Sequence, residues 1–371
     1  MRKKKLLVIT ANTSWYLYNF RKNTILALVL SGYKVIAIAP RDEYSQKLTA
    51  LGAEFQDIKI DQGGTNPWRD FITFLAFVKC YSRIQPETVL NFTPKNNIYS
   101  TLAASMFKAQ IINNIAGLGT AFIEDNLFAR IVRTLYRISQ PKADIIFFQN
   151  DEDQTLFEKY KISAQNKFRR IPGSGVDLTR FKVQEAIDDG CVRFLLIARM
   201  LHNKGIGYYV EAARELKKIY GERVEFRLLG PLGINNPSAV TEDEIRLWTR
   251  DEVVTYLGSS DHVEREIAPI DCIVLPSFYR EGVPKSLLEA CAMGKPIITT
   301  NNIGCRETVD DGVNGYLCDV KSTPSLIGKL HKMINQTHEQ RIEMGRNSRI
   351  KVEKEFDEKI VINEYLNAVK R

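Results

Sequence analysis

Short, almost wholly apolar runs alternate with helix-like stretches along this chain, and the series occurs twice. Residues 6–10, 34–40, 55–60, 87–92, 110–115 and 144–149 read as strands in the first half. Residues 192–198, 224–230, 253–258, 270–276 and 297–300 do so in the second. Strands that lack polar alternation are covered on both faces, which places them in parallel sheets with helices on each side. A helix is expected over 19–31, closed by Gly32. The polar segment 183–190 separates the two series and reads as a linker. A chain of 371 residues also exceeds one ordinary core. The expected organisation is α/β: an N-terminal Rossmann-like domain over 1–182, a second over 183–356, and a C-terminal helix over 357–371 that could pack back on the first. The two sheets are expected to face each other across a cleft.

Composition removes several classes. With 44% hydrophobic and 26% charged residues, wholesale disorder is excluded. Six cysteines form no C-x-x-C pair, and most lie in apolar runs. That suits free thiols in a reducing compartment. Four histidines make no visible zinc cluster. The basic start Met1–Lys5 is followed by only four apolar residues, too few for a signal-peptide core, and no run is long enough to span a bilayer. A cytoplasmic protein is expected. Residues 1–185 hold 26 Lys and Arg against 16 Asp and Glu, a net of +10, whereas the rest carries −2. An anionic membrane, a phosphorylated acceptor and nucleic acid are candidate partners. The charge makes no long stripe, which argues against nucleic acid.

The richest segment runs from Phe278 to Pro296 and holds Glu281 and Glu289. It reads strand, loop, helix, strand. Gly282 admits close backbone approach, Pro284 suits a first helical turn, and Gly294 with Pro296 stops the helix. The amides at that helix start, with those of Gly282 and Val283, favour an anion. Glu289 lies five residues beyond Pro284, about 7–8 Å along the axis, which fits a phosphate at one end and a ribose diol at the other. Arg199 and Lys204 follow the first strand of the second series, where open α/β sheets bind ligands. Both could neutralise a diphosphate.

In the first half, Ser14, Trp15 and Tyr16 follow the first strand, and Lys95 follows the fourth. Gly117 and Gly119 begin an incomplete G-x-G-x-x-G and read as a flexible loop. These are acceptor-side candidates. Asp151-Glu152-Asp153 has the form of a metal motif, but acidic residues at a helix start are ordinary capping. Residues 126–140 place Arg130, Arg133 and Arg137 on a helix with apolar neighbours. That stretch is either a membrane-surface helix or an ordinary domain helix. The aromatic-rich stretch 68–81 could join that surface or belong to the core.

The whole chain resembles the bacterial family 4 glycosyltransferases, retaining enzymes of the GT-B architecture. The motifs that carry this are Glu281-x7-Glu289, Arg199-x4-Lys204-Gly205, Ile171-Pro172-Gly173-Ser174-Gly175-Val176-Asp177, and Gly304-Cys305-Arg306-Glu307 through Gly315. Pro94–Tyr99 and Gly117–Gly119 resemble the branch acting on undecaprenyl-diphosphate-linked sugars. The resemblance implies transfer of a hexose or N-acetylhexosamine from a UDP-sugar to a lipid-linked saccharide, in lipopolysaccharide, capsule or related glycan assembly. It also implies peripheral attachment to the cytoplasmic face of the inner membrane and no metal cofactor. Arg199 and Lys204 would hold the donor diphosphate, Glu281 the donor sugar, and Glu289 the ribose. Many relatives carry an N-terminal-domain histidine facing the sugar, and residues 1–201 contain none. No general base is therefore assigned. A UDP-sugar epimerase on the same architecture is the alternative.

Overall fold

A computed structural model describes residues 5–61, 66–118, 122, 126–234 and 236–370. Gly119 lies outside them. The chain divides into two compact units, 1–174 with 359–371, and 175–358.

The first unit contains β1 (Leu6–Thr10), α1 (Ser14–Leu30), β2 (Lys34–Ala39), α2 (Ser45–Ala50), β3 (Glu54–Asp57), α3 (Pro67–Ile84), β4 (Thr88–Asn91), α4 (Thr101–Ala104), β5 (Gln110–Ile115), α5 (Leu127–Ser139), β6 (Ile145–Phe148), α6 (Asp151–Lys159) and β7 (Phe168–Arg170). The strands form one parallel sheet in the order β3-β2-β1-β4-β5-β6-β7. The second unit contains β8 (Val192–Ile197), α7 (Ile206–Tyr220), β9 (Val224–Leu229), α8 (Glu242–Arg250), β10 (Thr255–Tyr256), α9 (Val263–Ile267), β11 (Cys272–Leu275), α10 (Lys285–Ala292), β12 (Ile297–Thr300), β13 (Gly315–Cys318), α11 (Thr323–Ile334) and α12 (His338–Glu355). Its parallel sheet runs β10-β9-β8-β11-β12-β13. A last helix, α13 (Glu358–Val369), packs on the first unit.

The strands are buried because both faces are apolar. Val8, Val89 and Ile146 meet one layer of helices, and Leu7, Ile9 and Leu90 meet the other. Tyr365 of α13 is fully buried, with its ring edge-on to Phe92 and Phe147. The domain boundaries differ from the sequence reading. The chain leaves the first unit after Ser174 rather than Lys182, because Val176 and Phe181 join the second core. The Val176 amide bonds the Phe356 carbonyl, and the Glu358 amide bonds Val176. The polar segment 183–190 is thus a surface stretch of the second unit. Helix α1 begins earlier than expected because Thr13 accepts the Tyr16 amide as its N-cap. Strands β7 and β13 had not been anticipated.

All six cysteines are free, and four are buried. Among the described residues, no helix is long and apolar enough to cross a membrane, and no group of His, Cys, Asp and Glu could hold a metal ion. Asp151, Glu152 and Asp153 open α6 behind an Asn150 cap, as the capping reading holds.

Candidate active site in the second unit

Sheet order reverses between β8 and β11, so the loops after these neighbouring strands diverge and leave a crevice. Arg199 and Lys204 come from the first loop, and Glu281 comes from the second. The structure brings Lys204 and Glu281 into direct contact, ammonium to carboxylate. Ser277 donates to the same carboxylate oxygen at 3.0 Å, and the Lys204 ammonium lies 5.3 Å from the Tyr279 ring centroid. Both partners are largely shielded, with side chains 12% and 13% exposed. Two loops 77 residues apart in sequence are therefore tied by one ion pair.

Backbone contacts enforce this tie. The Asn203 carbonyl accepts the Phe278 and Tyr279 amides at 3.1 Å each and the Ser277 hydroxyl at 3.3 Å. Gly205 has φ of +82°, and a Cβ there would lie 2.1 Å from the Pro276 oxygen. Only glycine permits that approach. On the other side, Thr300 donates to the Ser277 carbonyl, and the Asn302 amide nitrogen donates to the Tyr279 carbonyl at 2.9 Å. A Cβ on Gly304 would meet the Gly282 oxygen at 1.7 Å. The 277–282 loop is thus clamped between the segments after β8 and β12.

Helix α10 begins at the end of that loop, and Pro284 offers no side-chain cap. Its dipole therefore meets the loop uncovered. Gly282 and Val283 are buried beneath it. Glu289 lies one turn in, 12% exposed, with Lys285 at 3.9 Å. Burial holds its carboxyl above the usual Glu range, against the pull of Lys285 and Arg180. Arg199 is exposed, and among the described residues its side chain has no hydrogen-bond or ion-pair partner. The arrangement offers one uncommitted guanidinium, a lysine–glutamate pair, an open helix start and a largely buried carboxylate. It can bind a diphosphate at one end and a diol at the other.

Sequence reasoning missed Arg180 and Glu264. The Arg180 guanidinium donates from Nε and Nη2 to Glu264 at 3.1 and 2.7 Å, and from Nη2 to the Asp261 carbonyl at 2.8 Å. It fastens the segment after β10 near Glu289. The pair is 84 residues apart, so no local spacing could signal it.

The acceptor-side candidates of the first unit fare differently. Ser14 is fully buried, and its hydroxyl donates to the Pro40 carbonyl at 2.8 Å and meets Ser45 at 3.1 Å. It ties α1 to α2. Lys95 pairs with Asp70 at 2.5 Å and faces Asp61 at 3.9 Å, so its charge is already answered within the unit. Gly117 is half-buried with φ of +123°. On α5, two of the three arginines are tied to Tyr160. Arg133 is buried and donates to the Tyr160 hydroxyl, and Arg137 donates to the Tyr160 carbonyl. Leu127, Phe128, Ile131 and Ile138 are exposed on α5, together with Arg130, Thr134 and Arg137.

Comparison with known proteins gives the family and the fold. The family model of glycosyl transferases group 1 matches residues 191–336, and that of glycosyl transferase 4-like proteins matches 5–150. The chain is 27% identical to the N,N'-diacetylbacillosaminyl-diphospho-undecaprenol alpha-1,3-N-acetylgalactosaminyltransferase of Campylobacter jejuni, over 96% of each chain. Two solved structures share the fold. Sucrose-phosphate synthase from Thermosynechococcus elongatus has a TM-score of 0.81 at 15% identity, covering 99% of this chain and 98% of that one. Anabaena HepE in complex with UDP and glucose has a TM-score of 0.78 at 14% identity, covering 99% of each.

Proposed function

The chain is a glycosyltransferase with a 4-like first half and a group 1 second half, and we propose that it is a retaining enzyme. In this reading it moves a hexose or N-acetylhexosamine from a UDP-sugar to a polyprenyl-diphosphate-linked saccharide. The observation that carries the donor side is the Lys204–Glu281 pair at the strand-order reversal, with Arg199 uncommitted beside it. The full-length likeness to an enzyme named for a diphospho-undecaprenol acceptor supports the acceptor class. A UDP complex of a protein with the same fold supports the nucleotide. No observation favours an epimerase.

In this mechanism Arg199 and Lys204 take up the charge that grows on the departing diphosphate. Preorganised cations in a shielded site act most strongly on charge that develops in the transition state. Glu281, held by Lys204 and Ser277, accepts hydrogen bonds from the donor sugar's hydroxyls, and Glu289 does so from those of the ribose. The leaving diphosphate takes the acceptor's proton. Charge neutralisation by side chains implies that transfer persists in a chelator. The exposed apolar residues of α3 and α5 lay the first unit on the cytoplasmic face of the membrane, where the lipid-linked acceptor resides.

Titration calorimetry with UDP tests the donor site. Glu289→Ala and Arg199→Ala should each weaken binding about ten- to a hundredfold, the range of a charge-assisted hydrogen bond. Unchanged affinity in both variants would sink the assignment. The anomeric configuration of the product, read by NMR, tests retention.

A further inference from the structure

One cavity in the first unit contains none of the residues discussed so far as donor-binding. It has a volume of about 510 Å³ and is open on one side. Pro40 and Arg41 after β2, Asp57 to Asp61 after β3, and Arg69, Ile72 and Thr73 of α3 line it. It sits at the carboxyl ends of two neighbouring parallel strands, where open α/β sheets take ligands. Three of its wall residues, Arg41, Lys59 and Arg69, are exposed cations. Among the described residues none of the three has a carboxylate within ion-pair range. Two carboxylates share the wall. Asp57 accepts the Arg41 backbone amide at 3.0 Å, and Asp61 faces Lys95. The pocket therefore presents a surplus of positive charge.

Beside it runs an apolar ridge. Trp68, Phe71, Ile72 and Leu75 fall at i, i+3, i+4 and i+7 of α3, and are 68%, 48%, 47% and 47% exposed. The opposite face of the same helix, with Thr73, Phe77 and Tyr81, fills the core. A helix buries such residues when it can, so an exposed stripe of this size marks a surface that is covered in use. Ile72 belongs to both ridge and pocket.

We infer that this pocket binds the phosphate of an anionic phospholipid, with the α3 ridge seated among the acyl chains beside it. The inference rests on the proposed membrane attachment and assigns it a specific site. Charge complementarity selects the occupant: three cations with no carboxylate partner among the described residues, beside an apolar stripe, match a headgroup phosphate at the edge of a hydrocarbon layer.

Vesicle co-sedimentation tests it, using full-length protein with phosphatidylcholine vesicles or with phosphatidylcholine containing a minority of phosphatidylglycerol. The triple variant Arg41→Gln/Lys59→Gln/Arg69→Gln should lose most of the preference for the anionic vesicles, roughly a hundredfold for three charges. Its residual binding to neutral vesicles should match wild type. A control triple, Lys108→Gln/Lys142→Gln/Lys159→Gln, removes the same charge from exposed residues that do not line the pocket, and should keep the preference. If both triples lose it equally, diffuse charge is responsible and the pocket assignment is overturned. If neither loses it, the assignment is overturned as well. If wild type binds neither vesicle, the membrane reading itself falls, and this site with it. Transfer to a detergent-solubilised diphosphate acceptor separates the other source of phosphate. An unchanged acceptor KM in the pocket triple supports the phospholipid, whereas a raised one makes the pocket the acceptor's and overturns the proposal.

Discussion

Glu289 and Arg180 show how single side chains would tune the proposed donor site. Burial raises the Glu289 pKa above 4.5, so the proton returns at a higher pH than in a solvated glutamate. A carboxylate that accepts two ribose hydroxyls must be ionised. Donor affinity is therefore present above the raised pKa and is lost as pH falls through it. The donor KM of wild type should rise on acidification, beginning above the ordinary Glu range, and Glu289→Gln should abolish that dependence while starting from a higher KM. A pH profile of kcat/KM for the donor checks this. Arg180 acts through others. Its guanidinium fixes the Asp261 carbonyl and Glu264, so Arg180→Gln should raise the donor KM several-fold with little change in kcat. The exchanged pair Arg180→Glu/Glu264→Arg should recover part of that loss, since the charges remain complementary. Failure of both the KM effect and the rescue would reduce the contact to a surface ion pair worth about 0–1 kcal/mol.

At the scale of elements, the strand–loop–helix around Glu281 was legible because each part carries its own signal. Apolar runs gave the strands, Pro284 the helix start, and Gly294 with Pro296 the stop. Clamping of the loop was less legible, because the Asn203 carbonyl and the Gly304 approach involve backbone atoms that any residue possesses. The partners of Ser14 and Lys95 were illegible for a related reason. The place of these two residues after a strand was correct, yet their partners Ser45, Asp70 and Asp61 lie 25 to 34 residues away. The two readings of α5 could not be separated in the sequence, because Tyr160, which takes up Arg133 and Arg137, belongs to a later segment. Gly304 supplies the element-scale test. Gly304 and Gly312 have nearly the same φ, +79° and +82°, so alanine strains the backbone alike at both, by roughly 1–2 kcal/mol. Only Gly304 faces a backbone oxygen at 1.7 Å, whereas Gly312 faces open space. Gly304→Ala should displace the 277–282 loop and weaken UDP binding at least tenfold. Gly312→Ala should lower thermal stability and leave UDP binding unchanged.

At the scale of the molecule, two parallel α/β units could be anticipated from the repeated strand series, but the unit boundaries could not. Boundaries depend on which core a residue joins, and polarity pointed to 183–190 while Phe181 had already joined the second core. Val361, Tyr365, Ala368 and Val369 of α13 join the core of the first unit, and Tyr365 closes over a buried cation there. Arg21 of α1 is fully enclosed, with its guanidinium 4.4 Å from the Phe92 ring centroid, 5.6 Å from Tyr365 and 5.9 Å from Tyr16. It donates to the Ser174 hydroxyl at 3.2 Å. A guanidinium without a carboxylate partner is costly to bury, and stacking against three aromatic faces offsets part of that cost. Tyr365 is one of those faces and donates its hydroxyl to Asn114 at 3.0 Å. Tyr365→Ala should therefore destabilise the first unit by about 3–5 kcal/mol, more than a peripheral helix would imply. Because the donor residues all lie in the second unit, UDP affinity measured by calorimetry below the transition should match wild type, while the thermal midpoint of the first unit falls. Coincident loss of UDP binding would mean that the two units unfold as one, and that α13 secures the donor site as well as the core it covers.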